Sequence, residues 1–293
     1  NVVWTGNGMV VWGGGGGSTS LRSGGLYDPE ADAWTLMSLD LVPYRYQYFT
    51  VVWTGSRMLA WGGDALYGEA FGEGAAFDPL TNAWSPISSV NAPSVRNGHT
   101  AIWTGSLMII WGGRGSRLTN SGGRYDPSTD TWTSIAPTHA PMARRGHTAI
   151  WTGSRMVIWG GSNSNGTPLD DGGQYDPALD AWTPTSRVNA ASARQYHAAV
   201  WNGREMLVWG GFAYSGQYKT TGPRYNPITD TWVPMSSVGA PSFGAAVWTG
   251  THLVIWGGAN RIGARYDPDA DTWTAISTAD APSTPAGYTA IWT

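Results

Sequence analysis

Four arginines carry the clearest chemical potential in the chain. Arg45, Arg96, Arg145 and Arg194 stand eight, seven, six and seven residues before a tryptophan that recurs along the sequence. A guanidinium offers a planar fork of donors that matches a carboxylate or sulfate through two parallel hydrogen bonds. Four of them at near-equivalent positions are candidates to clamp an anionic ligand. His99, His147 and His197 share one position, four residues before the same tryptophan. Three imidazoles invite a zinc reading. However, Phe49, Gly244 and Tyr288 fill that position elsewhere, so packing between repeats accounts for the histidines better and no metal is expected. Recurrent Asp-x-x-x-Asp pairs suggest calcium, yet the first Asp of each serves a turn and no glycine completes a calcium loop.

Aromatic side chains beside Arg and Asn form the second candidate group. Arg114, Tyr214, Tyr218 and Arg261 follow Gly-Gly pairs, and flat apolar faces next to directional donors suit a saccharide or a peptide. The run from Tyr44 to Phe49, with Arg45, Tyr46 and Tyr48 inside it, is the densest local cluster. Paired acid–base catalysis finds little support on this side of the chain, where glutamate is limited to Glu69 and Glu73 in one loop. No catalytic residue and no cofactor is expected. The five-glycine run from Gly13 to Gly17 lacks the Lys of a phosphate loop and reads as a flexible loop.

The elements that must hold these residues follow from the tryptophans. The chain has 293 residues, with 19 Trp, 41 Gly and no Cys. Without cysteine there is no disulfide scaffold, thiolate metal site or thiol nucleophile. No apolar run reaches the length of about 18 residues needed to span a membrane, and a net charge of −3 excludes a globally basic nucleic-acid binder. Seven tryptophans precede Thr or Asn, six precede Gly-Gly, and six follow a Tyr/Phe-Asp/Asn-Pro turn. No tryptophan falls outside these three classes, so they are a period and not a scattered binding surface.

One unit reads like residues 144–182: GHTAIW and RMVIWG joined by a Thr-Gly-Ser turn, then Gly-Gly-x-Tyr, then an Asp-Pro turn leading to the next Trp. The runs are β-branched and aromatic, and the turn chemistry suits tight hairpins. The unit is a four-stranded antiparallel meander. Six of them, starting near residues 1, 50, 100, 148, 198 and 245, make one all-β domain over 1–293, a six-bladed β-propeller. A terminal strand over 286–293 repeats the first five positions, which leaves a seven-bladed ring with an incomplete chain as the alternative.

Gly-Gly after the second strand, Tyr-Asp-Pro before the third turn, and Trp seven residues after the Tyr together resemble the kelch repeat. The likeness extends to kelch-like repeats in large secreted or surface proteins of bacteria. It implies that residues of the loop before each first strand, and those just after Gly-Gly, contact partners. It also implies that copper-oxidase chemistry built on a Tyr–Cys crosslink is excluded here, since Cys is absent. A sugar-modifying enzyme of the sialic-acid-mutarotase-like kelch type remains an alternative.

Spacings divide the meander into two ends. First to second Trp is 8 residues, and Tyr or Phe to fourth-strand Trp is 7, in all six units. The other two connections vary in length, so they share the opposite face, where binding loops on a rigid scaffold belong. The fixed turns hold thirteen acids against Arg57, Arg155 and Arg204, and the rest of the chain is net positive. The expectation is therefore a non-catalytic, extracellular or cell-surface binding module. Its partner is a protein or glycan held on the variable-loop face, whose net positive charge favours an anionic one, with neither nucleic acid nor a membrane span involved. A structural repeat that stacks by self-assembly is the alternative.

Overall fold

The computed structural model describes the whole chain apart from residues 17–18, 21, 44–46, 65–69, 215, 258–261 and 282–288. It is all-β: six propeller blades of four antiparallel strands, with no helix among the described residues. Blade one comprises Val2–Trp4, Met9–Trp12, Gly24–Asp28 and Ala33–Leu36. Blade two comprises Thr50–Trp53, Met58–Trp61, Gly74–Asp78 and Ala83–Ile87. Blade three comprises Thr100–Trp103, Met108–Trp111, Gly122–Asp126 and Thr131–Ser134. Blade four comprises Thr148–Trp151, Met156–Trp159, Gly172–Asp176 and Ala181–Pro184. Blade five comprises Ala198–Trp201, Met206–Trp209, Pro223–Asn226 and Thr231–Pro234. Blade six comprises Ala245–Trp248, Leu253–Gly257, Ile262–Asp267 and Thr272–Ile276. The first three blades fall in one compact unit and the last three in another. The glycine run is not wholly irregular, because Gly15–Gly16 pairs with Thr19–Ser20 as a short ladder. Residues 289–293 form no strand, and 286–288 lie outside the described residues.

Register explains why three tryptophans recur per blade. In blade three, Trp103 pairs with Met108, Met108 with Tyr125, and Tyr125 with Trp132. This row crosses all four strands beside the fixed turns. Its outer pair also touches through rings, with centroids 5.1 Å apart. The second-strand Trp belongs to the opposite end of the blade and reaches across to the next one. Trp12 meets Trp84 at 4.7 Å, Trp61 meets Trp132 at 5.7 Å, Trp159 meets Trp232 at 5.3 Å, and Trp209 meets Trp273 at 4.6 Å. Trp12, Trp61, Trp111, Trp159 and Trp209 are fully buried. In the outer strands Trp84, Trp132, Trp182, Trp232 and Trp273 are buried, whereas Trp34 is 57% exposed. Each such ring contributes a large apolar area and a tilted aromatic contact of about 0.5–1.5 kcal/mol beyond burial.

Polar groups lock the same joint. Asp130 sits in the turn between third and fourth strands at φ 53°. Its Oδ1 accepts from Tyr125 Oη at 2.6 Å and from the Ser88 backbone N–H of the preceding blade at 2.7 Å. The Ser88 carbonyl in turn accepts from Trp132 Nε1 at 2.8 Å. Blades five and six repeat the arrangement through Asp230 with Ser186 and Asp271 with Ser236. A flat meander would place Ser88 at the far end from that turn. The twist accumulated over four strands swings the outer strand round, so the separation of turns from loops does not hold at the outer edge.

Glycine and histidine close the inner joint. Gly62 and Gly63 have φ of 66° and 100°. A Cβ on Gly62 would lie 2.5 Å from the His99 ring and 2.9 Å from the Arg96 carbonyl oxygen of the next blade. His99 is buried there, edge-on to Trp61 at 5.1 Å, with Nε2 2.8 Å from Thr50 Oγ1. His197 repeats this against Trp159 and Thr148. His99 and His197 thus pack between consecutive blades.

Two outcomes follow. Asp130→Ala should destabilise the protein by about 1–3 kcal/mol, because the Ser88 N–H and the Tyr125 hydroxyl both lose an acceptor. Asp130→Asn should cost less in urea unfolding, as blade two already uses Asn82 at this position with φ 50°. Burial, and secondarily the Arg194 charge, holds the His197 pKa down at about 3. The folded value lies below the ordinary 6.5, so this stabilisation is complete above pH 6.5 and is lost as pH falls towards 3. His197→Gln should make the decline in urea midpoint across that window shallower.

Candidate binding surface

In blades two, three and five the loop end is more ordered than its variable length suggests. There the residue three places after the second-strand Trp bridges both the loop that leads into the first strand and its own returning loop. Asn97 and Arg114 exchange backbone hydrogen bonds at 2.8 Å each, and Arg114 also bridges Leu118. In blade five Gln195 and Phe212 do the same at 3.1 and 2.9 Å, and Phe212 bridges Tyr218. Blade two builds the set from Gln47, Asp64 and Ala70. Burial lifts the Asp64 carboxyl above the usual carboxylate range.

The arginines expected to clamp a ligand are beneath this layer. Arg96 and Arg194 are each 1% exposed. Arg96 donates from Nε to Ser94 O at 2.9 Å and from Nη1 to Gly112 O at 3.1 Å and Ser121 O at 2.8 Å. Its Nη2 donates to the Ser94 and Ser121 hydroxyls. Arg194 makes the equivalent contacts with Ser192, Gly210 and Thr221. All donors of both forks are consumed by the protein itself, so these two side chains bracket their own loops and do not clamp an anion. Desolvation lowers both pKa values to about 10. The third member of the set is Arg144, fully buried and seven residues before Trp151, and not Arg145, which is half-buried one place along. Arg114 is exposed. Arg45, Tyr46 and Arg261 lie outside the described residues. Three of the basic residues counted on the loop side, Arg96, Arg144 and Arg194, are therefore interior and do not face a partner.

What blade five and the start of blade six bring together is aromatic. Tyr218 stacks on Phe243 with centroids 4.0 Å apart and planes 2° from parallel. Phe212 lies 4.4 Å from Tyr218 and 6.4 Å from Tyr196. Tyr196 and Tyr218 are 54% and 46% exposed, and Tyr214 beyond them is more open still. Tyr214 and Tyr218 were expected here from their position after Gly-Gly, while Tyr196 and Phe243 were not. A signal existed: counting five residues before each first-strand Trp gives Tyr48, Gly98, Gly146, Tyr196 and Phe243. Tyr48 and Tyr196 hold φ of 57° and 53°, where Gly98 and Gly146 hold 60° and 64°. A tyrosine in the left-handed region costs about 1 kcal/mol or more, and such strain points to a use for the ring. The Tyr196 ring lies over Gly146, where a Cβ would come within 3.2 Å of it.

This arrangement offers ring faces and phenol hydroxyls over a pinned backbone. Among the described residues no group of three or more His, Cys, Asp or Glu converges to hold a metal, and Glu73 is an exposed loop residue with Glu69 outside them. Arg194→Met should lower stability by about 3 kcal/mol or more, since buried carbonyls at Gly210 and Thr221 lose their donor; thermal unfolding measures it. The loss should not depend on any added anion.

The KLHDC2/KLHL20/DRC7 Kelch-repeats domain matches the chain over residues 1–140 and again over 98–292. No curated protein matches it. The two matches together span nearly every residue. The chain belongs to the kelch-repeat family.

Proposed function

We propose that this chain is a non-catalytic interaction module that holds a protein partner on the loop side of blades five and six. The observation that carries the reading is the stacked pair Tyr218–Phe243 with Phe212 and Tyr196 beside it. Kelch domains generally bind proteins, and exposed tyrosines on a rigid base are what such surfaces use as anchors: large contact area with only two side-chain torsions to fix. The partner presents an extended segment with apolar or proline side chains that lie flat on the rings. A glycan would use the same faces, but it would need more directional polar groups than the patch supplies. The extracellular or cell-surface setting belongs to this proposal as well, on compositional likeness alone.

The test is selection from a displayed random peptide library on the whole chain. Enriched peptides should carry aromatic or proline residues. The Tyr196→Ala/Tyr218→Ala double variant should bind them at least thirtyfold more weakly, about 2 kcal/mol for a lost anchor. Selected peptides that bind the double variant as tightly as the parent would sink the assignment.

A further inference from the structure

The loop side is not where the described clefts lie. Three open on the turn side, each between consecutive blades: about 410 Å³ between blades one and two, about 750 Å³ between two and three, and about 380 Å³ between four and five. All three share one plan. A first-strand Trp of the later blade (Trp53, Trp103 or Trp201) and the proline of its Asp-Pro or Asn-Pro turn form one wall, and the first hairpin turn of the earlier blade, Thr-Gly-Asn in blade one and Thr-Gly-Ser in blades two and four, forms the other. Each such tryptophan is half-buried. Trp103, for instance, packs on the core shared by blades two and three and also lines the cleft.

The middle cleft differs from its neighbours in size and in chemistry. It falls within the range of about 300–1,000 Å³ typical of small-ligand pockets. Arg57, Ser106, Asp126 and Ser128 join Trp103 and Pro127 around it. Arg57 is 56% exposed on its side chain, and its ion pair to Asp78 is long at 3.8 Å. No side-chain hydrogen bond ties its guanidinium to another described residue. Asp126 and Asp130 outweigh the arginine, so the cleft carries net negative charge and disfavours an anionic ligand. An indole, an exposed guanidinium, a carboxylate whose Oδ1 already accepts from the Ser128 N–H and hydroxyl, and the short hydroxyl of Ser106 form a set that suits one chemistry well. The C–H face of a pyranose lies against an aromatic side chain, while its hydroxyls both donate to carboxylate and accept from guanidinium.

We propose that the turn-side cleft between blades two and three seats a residue of a neutral saccharide, with Trp103 as the stacking surface and Arg57 and Asp126 as hydroxyl partners. This site is separate from the loop-side surface and does not depend on it.

The experiment is an NMR titration of the whole chain with cellotriose and, separately, maltotriose, following the Trp103 indole N–H. At least one sugar should give a saturable shift with a Kd of about 1 mM, typical of a shallow saccharide contact. Ser106→Trp places a bulky ring in the cleft from an exposed turn position and leaves the core untouched. It should weaken binding at least tenfold with an unchanged circular dichroism spectrum, and Arg57→Ala should weaken it by about fivefold. Tyr218→Ala should leave it unchanged. Absence of a saturable shift with both sugars overturns the proposal. So does binding that survives Ser106→Trp, or binding that is lost in Tyr218→Ala, which would place the sugar on the loop side instead.

Discussion

Everything in this protein depends on one contact, the second-strand indole of a blade lying against the fourth-strand indole of the blade that follows. A four-stranded sheet of three- to six-residue strands buries too little by itself to be stable. The indole pairs give each sheet a second apolar surface, and they do so at distances of 4.6–5.7 Å, close enough to exclude water. The polar joint then falls into place around them. Once Trp132 is seated, its N–H finds the Ser88 carbonyl, and the Ser88 N–H finds Asp130. The carboxylate and the indole thus read the two sides of a single residue in the neighbouring blade.

Much of this was legible in the sequence, because the joints repeat. Fixed spacings of 8 and 7 identified two hairpins per unit, and the three tryptophan classes identified the lattice that the burial pattern bears out. The failures have physical causes. Arg145 was grouped with Arg96 and Arg194 on type and rough position, but burial distinguishes a single register, and that register belongs to Arg144. A one-residue shift near a β-bridge changes interior to surface, which a count of arginines does not register. Tyr196 and Phe243 precede different blades in the chain, and only the fold joins them, through Phe212 and Tyr218. The glycine run looked shapeless since its ladder needs no side-chain pattern at all.

Function and stability are consequently divided among different residue types. The second- and fourth-strand tryptophans, the histidines between blades and the buried arginines serve the frame, while a first-strand tryptophan such as Trp103 also faces a cleft. Tyrosine serves two purposes: in the third strand it is tied to an aspartate and pushed to a raised pKa, chiefly by burial at Tyr125, Tyr225 and Tyr266. On the loop side it stands open. The same residue type thus marks core in one context and surface in the other, and for two of the exposed ones the backbone conformation also differs. Third-strand tyrosines occupy ordinary extended positions, while Tyr48 and Tyr196 occupy a left-handed one.

The arginine bracket has a bearing on how such a protein diversifies. Arg96 ties Gly112 to Ser121, and Arg194 ties Gly210 to Thr221, so the same guanidinium geometry closes loops that differ by two residues. Chain length beyond the bracket is invisible to the sheet beneath it, and the entropy of lengthening a closed loop grows only slowly. The blade end therefore behaves as a socket. Segments can be exchanged between blades, or lengthened, without renegotiating the fold, and novelty accumulates at the tips while the joints stay the same.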